Sequence, residues 1–169
     1  MGGSRSDRAG AGQELWSFIP QEHLSKFKRL RANSPEIRLS STVVSTATGT
    51  VTPLSRDYFV DGPIEVYQKV NASGVAEKVI LYSTMRRGGR LVYALDVTTP
   101  AQPKFLWSRN GASGDLPILG QTWSAPKVAR VKGYANPVLI MGAGYDAAAE
   151  DVSPAGTTPP AASRPASTR

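Results

Sequence analysis

The sequence contains no cysteine, and His23 is the single histidine among its 169 residues. The lack of cysteine excludes disulfides, cysteine nucleophiles and the usual Cys/His zinc sites. A Ser-His-Asp triad would have to use His23 as its base, whereas a hard-cation site built from carboxylates stays open. No run of about 18 apolar residues is present, so the sequence predicts no transmembrane helix. Residues 1–20 also lack the apolar core of a signal peptide.

Composition and charge favour a turn-rich β protein. The chain has 16 glycines and 13 prolines, more than a helical bundle tolerates well. Its net charge is +7, but no segment forms an extended basic block. The excess of positive charge could attract nucleic acid or anionic surfaces weakly, but an ordinary solvated basic surface is the favoured explanation.

Four zones follow one another along the chain. Residues 1–11 are small and polar and are predicted to be disordered. Residues 12–56 combine a blade edge, a short basic helix and a Ser/Thr-rich connector, and residues 57–146 predict successive β-strands. Residues 147–169 are rich in Ala, Pro, Ser and Thr, so this tail is also predicted to be disordered.

The short basic helix is predicted over residues 21–31, directly after Pro20. One apolar stripe recurs every three residues, at Leu24, Phe27 and Leu30. Cationic side chains occupy most of the remaining surface, at Lys26, Lys28, Arg29 and Arg31. The stripe predicts docking on a neighbouring sheet, and a helix for a membrane surface or nucleic acid would have a similar pattern.

The strand zone predicts strands over 64–70, 78–84, 90–97 and 103–108. The Arg-Arg-Gly-Gly turn at 86–89 closes the central hairpin, with glycines suited to positive φ. Both faces of the 90–97 strand are apolar, which indicates that it is covered on both sides.

A second copy of this strand pattern begins near residue 122. An opening strand is predicted over 122–131 and a second buried strand over 136–142, each about 60 residues after its counterpart. Repeated four-stranded antiparallel units with strands buried on both faces are typical of β-propeller blades. An ordinary meander or sandwich fragment is the alternative.

Five strings in this order resemble the β-propeller domain of the PilY/PilC family, the type IV pilus tip-associated and adhesin-like proteins. They are GQELWSFIP at 12–20, YFVDG at 58–62, RGGR leading into YALDVT at 87–98, QTWSAP at 121–126, and MGAGYD at 141–146. The resemblance covers about residues 12–146. It implies an all-β fold, a partial β-propeller of about one and a half four-stranded antiparallel blades with one short N-terminal helix and disordered ends.

The resemblance also implies a function. We expect a non-catalytic propeller scaffold that supports pilus assembly and surface attachment, with type IV pilus components or the remainder of the propeller as partners. We expect no specific nucleic acid, membrane span or small-molecule substrate. The family is exported to the cell surface, whereas the missing signal peptide and the altered sequence after Asp146 suggest a truncated or frame-altered product.

Family members bind calcium through a loop dense in Asp and Asn, and this sequence lacks such a loop. Asp146, Glu150 and Asp151 do not have the alternating ligand spacing or the central glycine of a calcium loop. We therefore expect no metal and no cofactor in this chain.

A second resemblance, of residues 93–97 and 105–107, is to the tryptophan docking repeat of quinoprotein dehydrogenase propellers. There the tryptophan packs between blades, so the resemblance assigns a structural blade-packing role to Trp16, Trp107, Trp123, Tyr93 and Asp96. A quinoprotein dehydrogenase fragment is accordingly the alternative function, although a cofactor cavity and a metal-bound catalytic Asp cannot be located. A carboxylate that caps the turn at its strand end is the structural explanation of Asp96.

Three arginines flank the glycine pair of the central turn, at Arg86, Arg87 and Arg90. Turn amides and guanidinium groups could converge there on an anion. A solvated hairpin tip accounts for the same residues without a ligand.

Overall fold

The computed structural model describes residues 12–37, 44–46, 49–111, 116–146 and 150. The chain divides into two compact units, one of residues 16–59 and one of residues 1–15 with 60–169. Apart from Glu150, the two segments predicted to be disordered, 1–11 and 147–169, lie outside the described residues. The four predicted zones therefore stay a prediction.

The 16–59 unit begins with a 3-10 turn at Gln21–His23 that continues into α1, Leu24–Ala32. Asn33 ends the helix in the left-handed conformation at φ 46°, and its Oδ1 accepts a hydrogen bond from Ile37 N at 3.2 Å. A short antiparallel hairpin of β1, Val44–Thr46, and β2, Gly49–Val51, follows. The predicted helix is therefore present, one turn of it in the tighter 3-10 form.

The apolar stripe of α1 is less buried than its spacing predicts. Phe27 contacts Phe59 with ring centroids 4.9 Å apart, but Leu24 and Leu30 remain 56% and 48% exposed. No residue of α1 is fully buried. Docking of the whole stripe on a sheet stays a prediction, and within its own unit the helix is held mainly through polar contacts.

Those polar contacts come from the basic residues of α1. Arg29 Nη1 bonds Asp57 Oδ2 at 2.7 Å and the Ser55 carbonyl at 3.0 Å, while Nη2 donates to the Leu54 carbonyl at 3.1 Å. Lys26 Nζ donates to the Tyr58 carbonyl at 2.7 Å. The cations of this helix thus hold the returning segment 54–58.

The second unit contains a four-stranded antiparallel sheet in chain order. Its strands are β3, Ile64–Val70; β4, Ala76–Thr84; β5, Leu91–Asp96; and β6, Lys104–Asn110. A register shift between Ala94 and Leu95 places one extra residue on β6. All four predicted strands of the first copy are confirmed, with bounds that differ by a few residues.

The turn between β4 and β5 differs from the predicted two-glycine hairpin. Residues Arg86–Gly88 form a 3-10 turn, and the left-handed φ of 47° belongs to Arg86. Gly89 has a φ of 156°, and Gly88 is not among the residues with positive φ. The predicted positive φ is thus present at Gly89 and not at Gly88, whose N–H donates to the Met85 carbonyl at 2.8 Å and closes the turn one step earlier.

Strand β5 is buried on both faces, which confirms the expectation from its sequence. Leu91, Tyr93 and Leu95 on one face and Val92 and Ala94 on the other are all at most 6% exposed. A strand covered on both sides needs layers above and below it.

A second, shorter strand pair follows the sheet. It consists of β7, Lys127–Ala129, antiparallel to β8, Val138–Ile140. Both strands are shorter than predicted. Pro126 and Pro137 directly precede them, and a residue without a backbone N–H cannot extend a ladder through its own donor.

Candidate functional site

The best-defined site in the described residues is the junction between the four-stranded sheet and the second strand pair. Val92 on β5 packs in one cluster with Leu119 and Leu139. Trp107 on β6 and Met141 pack against this cluster and enlarge it. The alternation of strands directs these side chains to one face, and their burial joins the two copies of the strand pattern.

Thr122 connects the two copies through its hydroxyl, which is fully buried. Its Oγ1 accepts a hydrogen bond from Met85 N at 2.8 Å and donates one to the Leu91 carbonyl at 3.0 Å. The Thr122 carbonyl accepts from Arg86 N at 3.2 Å. One residue of the second copy therefore satisfies backbone groups on both sides of the β4–β5 turn.

Close backbone approach at the junction depends on glycine. Gly144, at φ 88°, lies so close to the Gln121 carbonyl that a Cβ atom there would overlap it. Gln121 N donates to the Tyr145 carbonyl at 2.6 Å, and Tyr145 N returns a bond to the Gln121 carbonyl at 3.2 Å. The MGAGYD string thus serves backbone pairing.

Arg90 is part of the same junction. Its Nε donates to the Leu119 carbonyl at 2.6 Å, and its Nη2 donates to the Pro117 carbonyl at 2.8 Å. An ion pair to Asp146 Oδ2 at 3.3 Å adds a third contact. The guanidinium is thus committed to contacts within the protein, and the structure separates Arg90 from the other two arginines of the predicted anion contact.

Arg86 and Arg87 lie at the exposed tip of the β4–β5 turn, next to Trp123. Their Cζ atoms lie 6.0 and 5.8 Å from the centroid of the Trp123 ring. Trp123 is 42% exposed, and its Nε1 donates to Gln121 Oε1 at 3.3 Å.

The other predicted packing residues lie in different places. Trp107 contacts Tyr82, with ring centroids 5.9 Å apart, and it also packs against the junction cluster. Tyr93 lies on the opposite face of the sheet, 6.1 Å from the ring of Phe105. Trp16 is half-buried and belongs to the other unit. The structure therefore brings Trp107 to the junction and places Tyr93 on the other face of the sheet.

Asp96 ends β5 and is held by two neighbours. Its Oδ2 bonds Lys78 Nζ at 2.7 Å, and its Oδ1 accepts from Thr98 N at 2.9 Å and from Thr98 Oγ1 at 2.5 Å. The hydrogen bond from Lys78 and then those from Thr98 hold the pKa of the Asp96 carboxyl well below its ordinary value. This carboxylate is ionised and ties the strand end to its turn.

Sequence reasoning missed Thr122, the role of Arg90 and the Arg29–Asp57 pair. The string QTWSAP marked the position of Thr122, but nothing in it indicates which residue is buried.

Among the described residues, no group of three Asp, Glu or His side chains could hold a metal ion. The expectation that this chain holds no metal stays a prediction. The described part of the chain also includes no helix long and apolar enough to cross a membrane.

The family model for the PilY1 beta-propeller domain matches residues 3–157. The chain belongs to this family. The fold is accordingly mostly β, with antiparallel sheets and one short α-helix, as expected for part of a propeller. The first sequence resemblance is confirmed.

Similar proteins agree with this membership. The chain is 31% identical over 134 residues to the type IV pilus biogenesis factor PilY1 of Pseudomonas aeruginosa strain UCBPP-PA14, across 79% of this chain and 10% of that protein. It is 26% identical over 132 residues to the PilY1 homolog of Xylella fastidiosa, across 78% of this chain and 9% of the homolog. This PilY1-family chain therefore spans about a tenth of the length of these relatives.

A solved structure is similar as well. The chain superimposes on the crystal structure of the Pseudomonas aeruginosa PilY1 C-terminal domain with a TM-score of 0.52 and 26% identity. The match covers 81% of this chain and 22% of that domain. The matched relatives are described as type IV pilus biogenesis factors.

Proposed function

We propose that this chain is a non-catalytic scaffold segment of a pilus-biogenesis propeller. The propeller would lie at the cell surface and support pilus assembly and attachment to other surfaces. The observation that carries the proposal is the junction between the two strand copies, in a chain of the PilY1 propeller family. Thr122 and the cluster around Leu139 join one copy of the strand pattern to the next, and neighbouring blades of a β-propeller need such contacts. Its partners would be pilus components or the remainder of the propeller.

The quinoprotein alternative rests on the strand-end aspartate and on Trp107. The Asp96 carboxylate is engaged by Lys78 and Thr98, and Trp107 packs against the junction cluster. Both contacts support structural roles. We expect no dye reduction when the chain is mixed with the quinone cofactor, calcium and an alcohol, and reproducible turnover above a heat-treated control would favour the enzyme.

The pilus role can be tested by a chimera in a piliated bacterium. The segment of Pseudomonas aeruginosa PilY1 that aligns with this chain would be replaced by residues 12–146, and surface pili and twitching would be measured. We expect the chimera to restore both relative to a deletion of the segment. A chimera that is exported and stable but restores neither contradicts the proposal.

A matched pair of variants tests whether the junction carries the role. Leu139→Asp introduces a charge into the buried cluster, whereas Ile140→Asp changes a residue of the same strand that is 41% exposed. We expect the first chimera to lose surface pili and the second to keep most of them. Equal loss in both would show that the junction has no special importance.

A further inference from the structure

The Arg–Trp cluster, defined as Arg86, Arg87 and Trp123, is a group of predicted site residues whose side chains do not take part in the junction. Both arginines and the tryptophan are exposed, and both guanidinium groups lie over the indole ring at 5.8 to 6.0 Å from its centroid. Within the described part of the chain, the guanidinium of Arg86 forms no ion pair. Two positive charges are thus held side by side at the surface.

The cluster is preorganised by buried contacts beneath it. Thr122, which precedes Trp123, forms hydrogen bonds with the backbone on both sides of the β4–β5 turn. Its partners are Met85 N, Arg86 N and the Leu91 carbonyl. Arg86 has a φ of 47°, a conformation that is unfavourable for a residue with a Cβ atom. Backbone strain at an exposed residue that the surrounding structure fixes is a reason to look for function there.

The chemistry of the cluster points to a carboxylate ligand. A guanidinium group presents a planar fork of N–H donors that matches the two oxygens of a carboxylate. Both guanidinium groups lie within cation–π range of the indole, at 6.0 and 5.8 Å from its centroid. Trp and Arg are also the residues that contribute most to binding energy in protein interfaces.

We propose that the Arg–Trp cluster is a docking point for an acidic segment of a partner protein, whose Asp or Glu carboxylates bind Arg86 and Arg87. Charge complementarity to a chain of net charge +7 supports this partner. That the partner is a pilus component rests on the proposed function, whereas acidic-peptide binding does not.

The test is the binding of fluorescein-labelled hexaglutamate to the full chain, measured by anisotropy at low and at physiological ionic strength. Arg86→Gln/Arg87→Gln should weaken binding about tenfold. The matched control Arg130→Gln/Lys132→Gln removes the same charge from two exposed residues of the same unit and should weaken it by less than about twofold. Equal losses in both double variants, or no loss in the first, would overturn the proposal.

A second pair of measurements covers the remaining outcomes. Arg86→Lys/Arg87→Lys keeps the charge but loses the planar fork, and we expect about a threefold loss of hexaglutamate affinity. If near-UV circular dichroism shows that the glutamine variant is unfolded, the lysine variant becomes the test of the proposal. Unchanged hexaglutamate affinity in the lysine variant would then overturn it. Oligothymidylate that binds more tightly than hexaglutamate and depends on the same arginines would also overturn it, in favour of nucleic acid.

The failure of this inference can be distinguished from that of the proposed function. If hexaglutamate binding depends on the cluster but the pilus chimera fails, the docking point stands and its partner lies outside pilus assembly. Suppose instead that the chimera restores surface pili, that its Arg86→Gln/Arg87→Gln form restores them equally well, and that the same change leaves hexaglutamate binding unaffected. The docking proposal is then wrong and the proposed scaffold function is retained.

Discussion

Thr122 Oγ1 accepts a hydrogen bond from the backbone N–H of Met85 at 2.8 Å, although 37 positions separate the two residues. Thr122 is fully buried and Met85 is also inaccessible to solvent. A buried donor that loses its acceptor cannot turn to water instead, so this bond is costly to remove. It connects the start of the second strand copy to the β4–β5 turn of the first.

The first prediction concerns the Thr122 hydroxyl. Thr122→Val keeps the shape but leaves Met85 N and the Leu91 carbonyl without this partner, so we expect the free energy of unfolding to fall by about 2–3 kcal/mol in urea titrations. Thr122→Ser keeps the hydroxyl and loses one methyl group, at a cost of about 1 kcal/mol. A valine variant at least as stable as the serine variant would show that the hydroxyl contributes nothing.

The second prediction concerns Gly144, with Gly133 as its control. Both glycines have left-handed φ angles, 88° and 91°, but a Cβ atom at Gly144 would overlap the Gln121 carbonyl, whereas the space around Gly133 is open. We expect Gly144→Ala to lower the free energy of unfolding by about 3 kcal/mol and Gly133→Ala by about 1 kcal/mol. Similar values for the two variants would mean that backbone approach at residue 144 is not limiting.

The third prediction concerns the pH dependence of stability. The pKa of the Asp96 carboxyl is lowered in the folded state, first by the hydrogen bond from Lys78 and then by those from Thr98. A carboxyl whose folded pKa lies below its unfolded pKa stabilises the protein above the unfolded value, about 3.9, and that contribution is lost as the pH falls toward the folded pKa. Asp96→Asn should therefore lose less stability than the parent when the pH falls from about 5 to about 2. These two values lie about one unit above and about two units below the pKa of the unfolded carboxyl.

Thr98→Val tests the cause of that shift. It removes the hydroxyl donor and keeps Lys78, so its loss of stability on acidification should fall between those of the parent and of Asp96→Asn. Parallel stability curves for the parent and Asp96→Asn across the acid range would contradict this assignment.

The fourth prediction concerns the unit of residues 16–59. Arg29 bonds Asp57 Oδ2 at 2.7 Å and two carbonyls of the segment 54–58. We expect Arg29→Ala to increase the hydrogen-exchange rate of the Leu54 amide about tenfold, equivalent to about 1.4 kcal/mol of local stability. Lys28→Ala, an exposed change on the same helix, should leave that rate within about twofold.

How far sequence patterns reach is clearest in β5 and its neighbours. Apolar residues at consecutive positions predicted a strand buried on both faces, because each pleat face then needs a cover, and Leu91 to Leu95 confirm it. Residues 122–131 predicted a full strand, yet three residues pair, since propensity alone does not include the missing donor of Pro126.

The candidate site was less accessible to sequence reasoning. Arg86, Arg87 and Arg90 were grouped by position alone, and the structure separates Arg90, which bonds the Leu119 and Pro117 carbonyls. Trp123 lies more than 30 residues from the arginines that it contacts. Such long-range contacts have no periodic signal, because the loops that create them are irregular.

The sequence by itself determined the strand order, the short helix, the buried strand and the family, because periodicity, turn residues and ordered strings are local properties. Only the tertiary structure decided which polar groups meet. Thr122 bonds Met85, Arg90 pairs with Asp146, and Arg29 holds Asp57 because chain segments distant in sequence come within hydrogen-bond distance when the apolar faces pack. That geometry is a property of the packed chain as a whole.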